Sequence, residues 1–334
     1  MATSISRPIA IVDEHPEWSA RLIAELQNRR LPFEKIDHSS HAYDPHDRQP
    51  RYSVIVNRSS PSSHRRDHGS VLFYAEPLLA HYESLGIPVI NPVAAYRFEK
   101  SKALQAQLFE RLRIRSPRTV VLNHVDQIAK ALDGFRFPVV IKPNVGGSGA
   151  GIVRFDSRAE LEARLAEIDL GPDHVALLQE FIEADGGAIV RIEVLDGRFL
   201  CAIRIVYAIR IVRGAGSFNL CPADICQVPS PAATSAPALG ACPVDAPASL
   251  EVSRHEPPAD AIAQAVALAR AASIDVGGIE YLVGRDDGQI YFYDVNATSN
   301  FVANAPAVLG FDPFRPFVDY IERVAREGKR SELA

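Results

Sequence analysis

The chain has no excess of positive charge. Its 36 Lys and Arg face 41 Asp and Glu, a formal net charge of −5 with His neutral. Non-specific nucleic-acid binding rests on Lys and Arg meeting phosphates, so no nucleic-acid partner is expected. No apolar run approaches the roughly 20 residues of a membrane-spanning helix, and the opening MATSISRPIAIVDEH reaches acids before a long apolar core has formed. A membrane partner and a secretory leader are therefore not expected, and the chain reads as cytoplasmic. Cys201, Cys221, Cys226 and Cys242 form no CxxC pair, which leaves them as thiols in a reducing compartment. No internal repeat is visible.

What is present is a folded globular protein, 47% hydrophobic and 23% charged over 334 residues, a length that suggests two or three packed lobes. Residues 8–12, 52–56 and 87–90 read as short apolar strands, and 17–30 and 71–85 as helices by the recurrence of Trp18, Leu22, Ile23 and Leu26 and their later counterparts. This alternation predicts a small parallel-sheet lobe over residues 1–115. A helix at 100–111 ends it. Residues 116–184 then read as strand, helix, the strand 139–143, a glycine loop, a returning strand and the strand 175–181. Residues 185–334 carry a hairpin about Asp196-Gly197, a helix at 261–272, a hairpin of 278–283 with 289–294, and a closing helix at 313–327. Between 213 and 260 the composition shifts to Pro, Ala and Ser, as in VPSPAATSAPALGACPVDAPAS, and predicts a long mobile loop with residues 218–227 as a lid.

Chemistry concentrates in PVVIKPNVGGSGAGI, residues 138–152. Lys142 ends an apolar strand beside Gly146, Gly147, Ser148, Gly149 and Gly151, which offers one fixed charge and several bare backbone N–H groups to phosphate oxygens. The lysine precedes the glycines, so the loop does not fit the Walker pattern, nor has it Rossmann spacing; a kinase-type or an ATP-grasp arrangement remains. Downstream, in GGIEYLVGRDDGQIYFYDVNATSN, the turn at 286–288 sets Glu280 opposite Asp294, with Asn296 on the same face. Two carboxylates and an amide oxygen are hard ligands suited to Mg2+, with Mn2+ as an alternative. In ALLQEFIEADGG, backbone groups around Gln179, Glu180, Phe181 and Ile182 are placed to read a base edge, and Glu183 or Asp185 to meet a ribose.

In order and spacing, SKALQAQL, VVIKPNVGGSGAGIV, LLQEFI, CAIRI, GSFNL, IEYLV and YDVNATS resemble the ATP-grasp ligases over nearly the whole chain, especially the RimK-type carboxylate-amine ligases and more distantly D-alanine:D-alanine ligase. The resemblance implies an α/β (α+β) ATP-grasp fold, with a small N-terminal parallel-sheet lobe followed by two α+β subdomains gripping ATP between antiparallel sheets. It makes Lys102 and Lys142 the phosphate lysines, Glu180 and Ile182 the adenine hinge, Glu280, Asp294 and Asn296 the metal ligands, and Arg204 with Asn219 the polar pair near the transferred phosphoryl group.

Departures from the family bear on the substrate. Glu280 stands where Asp is usual, CPADICQ follows GSFNL where the RimK branch has His-Arg-Gly-Gly, and Gly278 stands where D-alanine ligases carry an arginine. Arg191 keeps its place without the acid that usually lies two residues before it, and with Arg58 it is a substrate-side candidate. The implied activity is amide formation from small-molecule or peptide carboxylate and amine substrates through an acyl phosphate. A kinase-like phosphotransferase or a non-catalytic ATP-binding module are the rival readings, and a homodimer is the default assembly.

Overall fold

The computed structural model describes residues 5–15, 17–147, 149–206 and 251–331. Three sheets organise them. The first is all parallel, in the order β2-β1-β3-β4, from β1 (Ile9–Val12), β2 (Phe33–Ile36), β3 (Val54–Asn57) and β4 (Val89–Ile90). β1 and β3 are buried along their whole length, as strands covered on both faces must be. On one side lies α2 (Val71–Ser84), and on the other α1 (Ala20–Asn28) together with α9 (Phe314–Glu327) from the far end of the chain. Phe314, Phe317, Val318, Ile321 and Val324 recur at helical spacing, so α9 presents one apolar stripe to Ile9, Ile11 and Val54. α3 (Val93–Glu99) and α4 (Lys102–Arg111) lead out of this lobe.

The second sheet runs β5-β8-β6-β7, antiparallel throughout, from β5 (Thr119–Leu122), β6 (Val139–Pro143), β7 (Val153–Phe155) and β8 (Ala176–Glu180). With the short helices α5 (Ile128–Ala131) and α6 (Arg158–Ala163) it closes its own core around Leu122, Ile128, Val139, Ile141, Phe155, Leu161 and Leu178. The third sheet runs β11-β10-β9-β12-β13, from β9 (Ala184–Leu195), β10 (Arg198–Val206), β11 (Glu251–Arg254), β12 (Val276–Gly284) and β13 (Ile290–Asn296). One face is covered by α7 (Ala259–Ala271) and α4, while α8 (Ala305–Leu309) packs beside Ile203 and Ile205 on the other.

The parallel lobe and the third sheet are not separable bodies. Leu195, Val276 and Phe301 join the core of β1, β3, α1 and α9. Asn91, just after β4, accepts from the amides of Asp275 and Val276 and donates to the carbonyls of Val276 and Ala297. Its own amide donates to the Asp275 carboxylate, which also accepts from Tyr320 and Arg330.

The predicted strand and helix units stand, with β2, β11, α3 and α8 added to them. β11 and the start of α7 correct the predicted loop at 213–260: EVSR pairs with β10 although only Val252 reaches a core. Residues 213–250, the proposed lid, Cys221, Cys226 and Cys242 lie outside the described residues. No helix among the described residues is long and apolar enough to cross a membrane.

Candidate active site

Along β6 the side chains alternate, so Val139 and Ile141 enter the core and Lys142 leaves on the opposite face. Lys142 is 5% exposed, and among the described residues its ammonium has neither a hydrogen-bond nor an ion-pair partner. Burial, and then Lys102, push it down to about 8, with Asp294 pulling the other way. The chain then turns back through Gly149 and Gly151, both at positive φ; a Cβ at 151 would lie 2.8 Å from Pro143 Cγ. Gly147 faces the N-terminal lobe, its Cβ position 3.6 Å from Ser62 Cβ. Ser148 lies outside the described residues.

Lys102 opens α4, whose N-cap Ser101 accepts from the Leu104 amide. Its Nζ lies 3.4 Å from the Gly146 carbonyl and 3.6 Å from Asp294 Oδ1. Asn144 fixes the two lysine-bearing elements together: it accepts from the Ser101 hydroxyl and the Ala103 amide, donates to Asp173, and its carbonyl receives the Lys102 amide.

On the third sheet Glu280 pairs with Asp294 as expected, but not through the predicted three-residue turn: the register leaving the turn would set Tyr293 opposite Glu280, and a bulge shifts it by one. Asn296 donates to Asp294 Oδ2 at 3.2 Å. A bulge after Glu280 leaves Tyr293 as the extra residue and re-aims it, so that its hydroxyl donates to Glu280 Oε2 at 2.9 Å. Arg191, opposite Glu280 on β9, donates to Glu280 Oε1 at 2.8 Å and to Glu193 Oε1 at 2.7 Å. Burial and the nearby Asp294 hold the Glu280 carboxyl above its ordinary value against the pull of Arg191. Burial acts the same way on Asp294, but Lys102 and Lys142 outweigh it and hold that carboxyl low.

The remaining candidates divide. In the hinge, the amides of Glu180 and Phe181 donate to the carbonyls of Arg118 and Pro138, while no hydrogen bond within the described residues reaches the Ile182 amide. Gln179 donates to Thr119, and Asp185 is exposed. Arg58 is buried beneath the site, donating to the carbonyls of Ser299 and Trp18 and to the Asn300 side chain. Arg204 pairs with Val190, out of phase with Arg191, and so leaves from the other face of the sheet, near Gly186. The structure therefore does not bring Arg204 to Glu280 and Asp294, and Asn219 lies outside the described residues. Arg66 and His68 both pair with Glu14.

Residues 99–210 match the family described as RimK-like ATP-grasp domain. The ATP-grasp ligase PsnB, solved with a minimal precursor, superposes with a TM-score of 0.65 at 15% identity over 97% of this chain and 100% of its own. D-alanine–D-alanine ligase from Bacillus anthracis does so with a TM-score of 0.63 at 18% identity over 96% and 99%. The chain has the ATP-grasp fold. A probable alpha-L-glutamate ligase of Marinomonas sp. is 30% identical over 156 residues, 46% of this chain and 49% of the relative. One of Teredinibacter turnerae is 33% identical over 136 residues, 40% and 45%. The chain thus spans about half the length of these relatives.

An ATP-grasp site implies a divalent cation beside the nucleotide, and the donor set here fits one. Glu280, Asp294 and Asn296 offer hard oxygens on one face, and two facing carboxylates repel each other until a cation lies between them. Among the described residues no cluster of three or more His, Cys, Asp or Glu has metal-site geometry. Two carboxylates and an amide suit Mg2+, which keeps waters and shares phosphate oxygens. The sequence pattern does not point to Tyr293, Glu193 or Ser299, which the structure adds to the candidate site together with Asn144. Only Asn144, a polar residue directly after Lys-Pro at the foot of the loop, gave a local signal.

Proposed function

We propose that the chain is an ATP-dependent carboxylate-amine ligase. The observation that carries this reading is Lys142, a buried cation with no hydrogen-bond or ion-pair partner among the described residues, at the foot of a glycine loop and set across from Lys102 and the Glu280–Asp294 pair. Burying an unpaired charge costs several kcal/mol unless an anion completes it, and a triphosphate is such an anion.

In this reading residues 116–184 supply the glycine loop and hinge, and 185–334 the metal face. Lys142, Lys102 and the loop amides hold the phosphates while the Ile182 amide and the Glu180 carbonyl read the adenine edge. A substrate carboxylate attacks the γ-phosphorus, its bond to ADP breaks, and an amine then attacks the acyl phosphate, releasing phosphate and forming the amide. Little covalent work falls to the protein, which positions the groups and neutralises charge as the phosphoryl group moves. Glu280, Asp294 and Asn296 would hold Mg2+, or Mn2+ in its place, and the cation supplies further charge neutralisation at the phosphates. Asn219 is retained as the phosphoryl-side candidate and Arg58 as the substrate-side one, with a soluble cytoplasmic homodimer as the assembly; Arg204, on the opposite face, and Arg191, tied to Glu193 and Glu280, leave those roles.

The test is phosphate release from full-length protein with Mg-ATP over a panel of amino acids and peptides, with L-glutamate first because the relatives are named for it. Mass spectrometry follows on each hit. An amide product with ADP is expected. A phosphorylated product without amide would make the protein a phosphotransferase, and Mg-ATP binding with no ADP release across the panel would end the ligase reading.

A further inference from the structure

We infer that position 278 is glycine because the Arg191 guanidinium occupies the volume of the missing side chain, and that Arg191 acts from there as a positioning residue that fixes Glu280 for a divalent cation. This rests on the metal face of the proposed function and adds the residues that set it. In the register of β9 and β12, Arg191 lies opposite Glu280 and Glu193 opposite Gly278. An arginine is too long to stop at its own partner, so it folds back along the strand toward 278. A Cβ built on Gly278 would sit 2.2 Å from Cζ and Nη2 of Arg191 and 2.3 Å from Nε, in the middle of the guanidinium.

The guanidinium is not free to step aside. Nε donates to Glu193, Nη1 to Glu280 and Nη2 to Ser299 Oγ at 3.4 Å, and the whole group is buried. Three of its five N–H groups are taken, the single Nε–H among them, so the Nε edge of the fork is closed to bidentate capture of a substrate carboxylate. What the contacts do instead is restrain Glu280. One of its oxygens is tied by Arg191 and the other by Tyr293, which removes the extra rotational freedom that a glutamate has over an aspartate. Such outer partners of a ligating carboxylate orient it and raise the affinity of the site.

The experiment is a titration of Mn2+ by electron paramagnetic resonance, on full-length protein saturated with a non-hydrolysable ATP analogue, with circular dichroism as the check on folding. Gly278→Ala and Arg191→Met are expected to weaken Mn2+ binding by about 10- to 100-fold, the loss typical of a removed outer partner. Arg191→Lys, which keeps the charge but reaches one carboxylate, should fall between them and wild type. The double variant Arg191→Ala with Gly278→Arg returns a guanidinium to the emptied volume from the other strand, and it should recover most of the affinity lost by Arg191→Ala alone. Wild-type Mn2+ affinity in folded Gly278→Ala or Arg191→Met overturns the inference, as does a folded double variant no better than the single. Should Gly278→Ala not fold, the lysine and double variants decide the matter. No turnover is needed, so an inactive panel with intact Mn2+ differences refutes the ligase reading alone.

Discussion

Lys142 gives a pH dependence that can be worked out in advance. Its fall from an ordinary 10.5 to about 8 corresponds to about 3 kcal/mol against the charged form. In the proposed function, nucleotide phosphates reverse this by supplying a counter-charge, so the complex binds the proton more tightly than the free protein does. Below pH 8 both forms are protonated and affinity is flat. Above it the free protein must take up a proton to bind, so affinity should fall by about 10- to 30-fold between pH 7.5 and 9.5, with about half a proton taken up per nucleotide at pH 8. Calorimetry of ADP binding at fixed Mg2+, in two buffers of different ionisation enthalpy, measures both quantities. In Lys142→Met the profile should flatten, with binding at neutral pH about 10- to 100-fold weaker for loss of a charged hydrogen bond. Folding stability has the opposite slope: between about 8 and 10.5 the unfolded chain holds the extra proton, so this residue's contribution to stability grows as pH rises. A flat wild-type profile, or the same slope in Lys142→Met, would refute the reasoning.

Asn91→Ala should destabilise the protein by about 3–5 kcal/mol in urea unfolding, because two amides and two carbonyls are left buried without partners. Glu14 is buried, which raises its pKa, but Arg66 and His68 outweigh burial and hold the carboxyl below its ordinary value. Its stabilisation is thus present above the ordinary carboxylate range and lost as pH falls through the lowered one; Glu14→Gln should be less stable at pH 7 and show a shallower acid limb in unfolding measured from pH 6 to 3. Arg58 donates only to neutral acceptors and its Nε has no partner. Arg58→Met should therefore stay within about 1 kcal/mol of wild-type stability, since an apolar group of similar volume replaces a costly buried charge. A raised KM with unchanged melting would assign Arg58 to substrate, and a large loss of stability would refute this account of it.

The parts of the site that were legible in the sequence are those set by local geometry. A lysine at the end of an apolar strand and glycines after it mark the loop. A short turn between two apolar strands brings the carboxylate-bearing strands together, although the bulge that sets Asp294 rather than Tyr293 opposite Glu280 has no local mark. What could not be read depends on distant pairing. The carboxylate partners of Arg191 are two and 89 residues away, and only the meeting of β9 with β12 brings the second one in. Arg204 shows how one irregularity changes a face. Counting back from the turn pair Leu195–Arg198, it should oppose Ile189, on the side of Arg191; a bulge between Phe199 and Cys201 moves it opposite Val190 instead. β11 escaped because EVSR has one apolar residue to bury, and its pairing is decided by the open edge of β10.

The way the cores are shared limits how this chain can be cut and recombined. β1 and α9 lie at opposite ends of the sequence yet fill one interior, and Asn91 stitches the start of β12 to the end of β13. A chimera that exchanges only the first 92 residues exposes the apolar stripe of α9 to a surface it was not shaped for, so such a swap must carry both termini together. The stretch from β5 to β8 closes its own core and meets the rest mainly through the hinge, Asn144 and the glycine loop. Among the described residues it is a part that two cuts can lift out as a cassette, which lets the half with the glycine loop be traded between relatives while the face carrying Glu280 and Asp294 stays where it is.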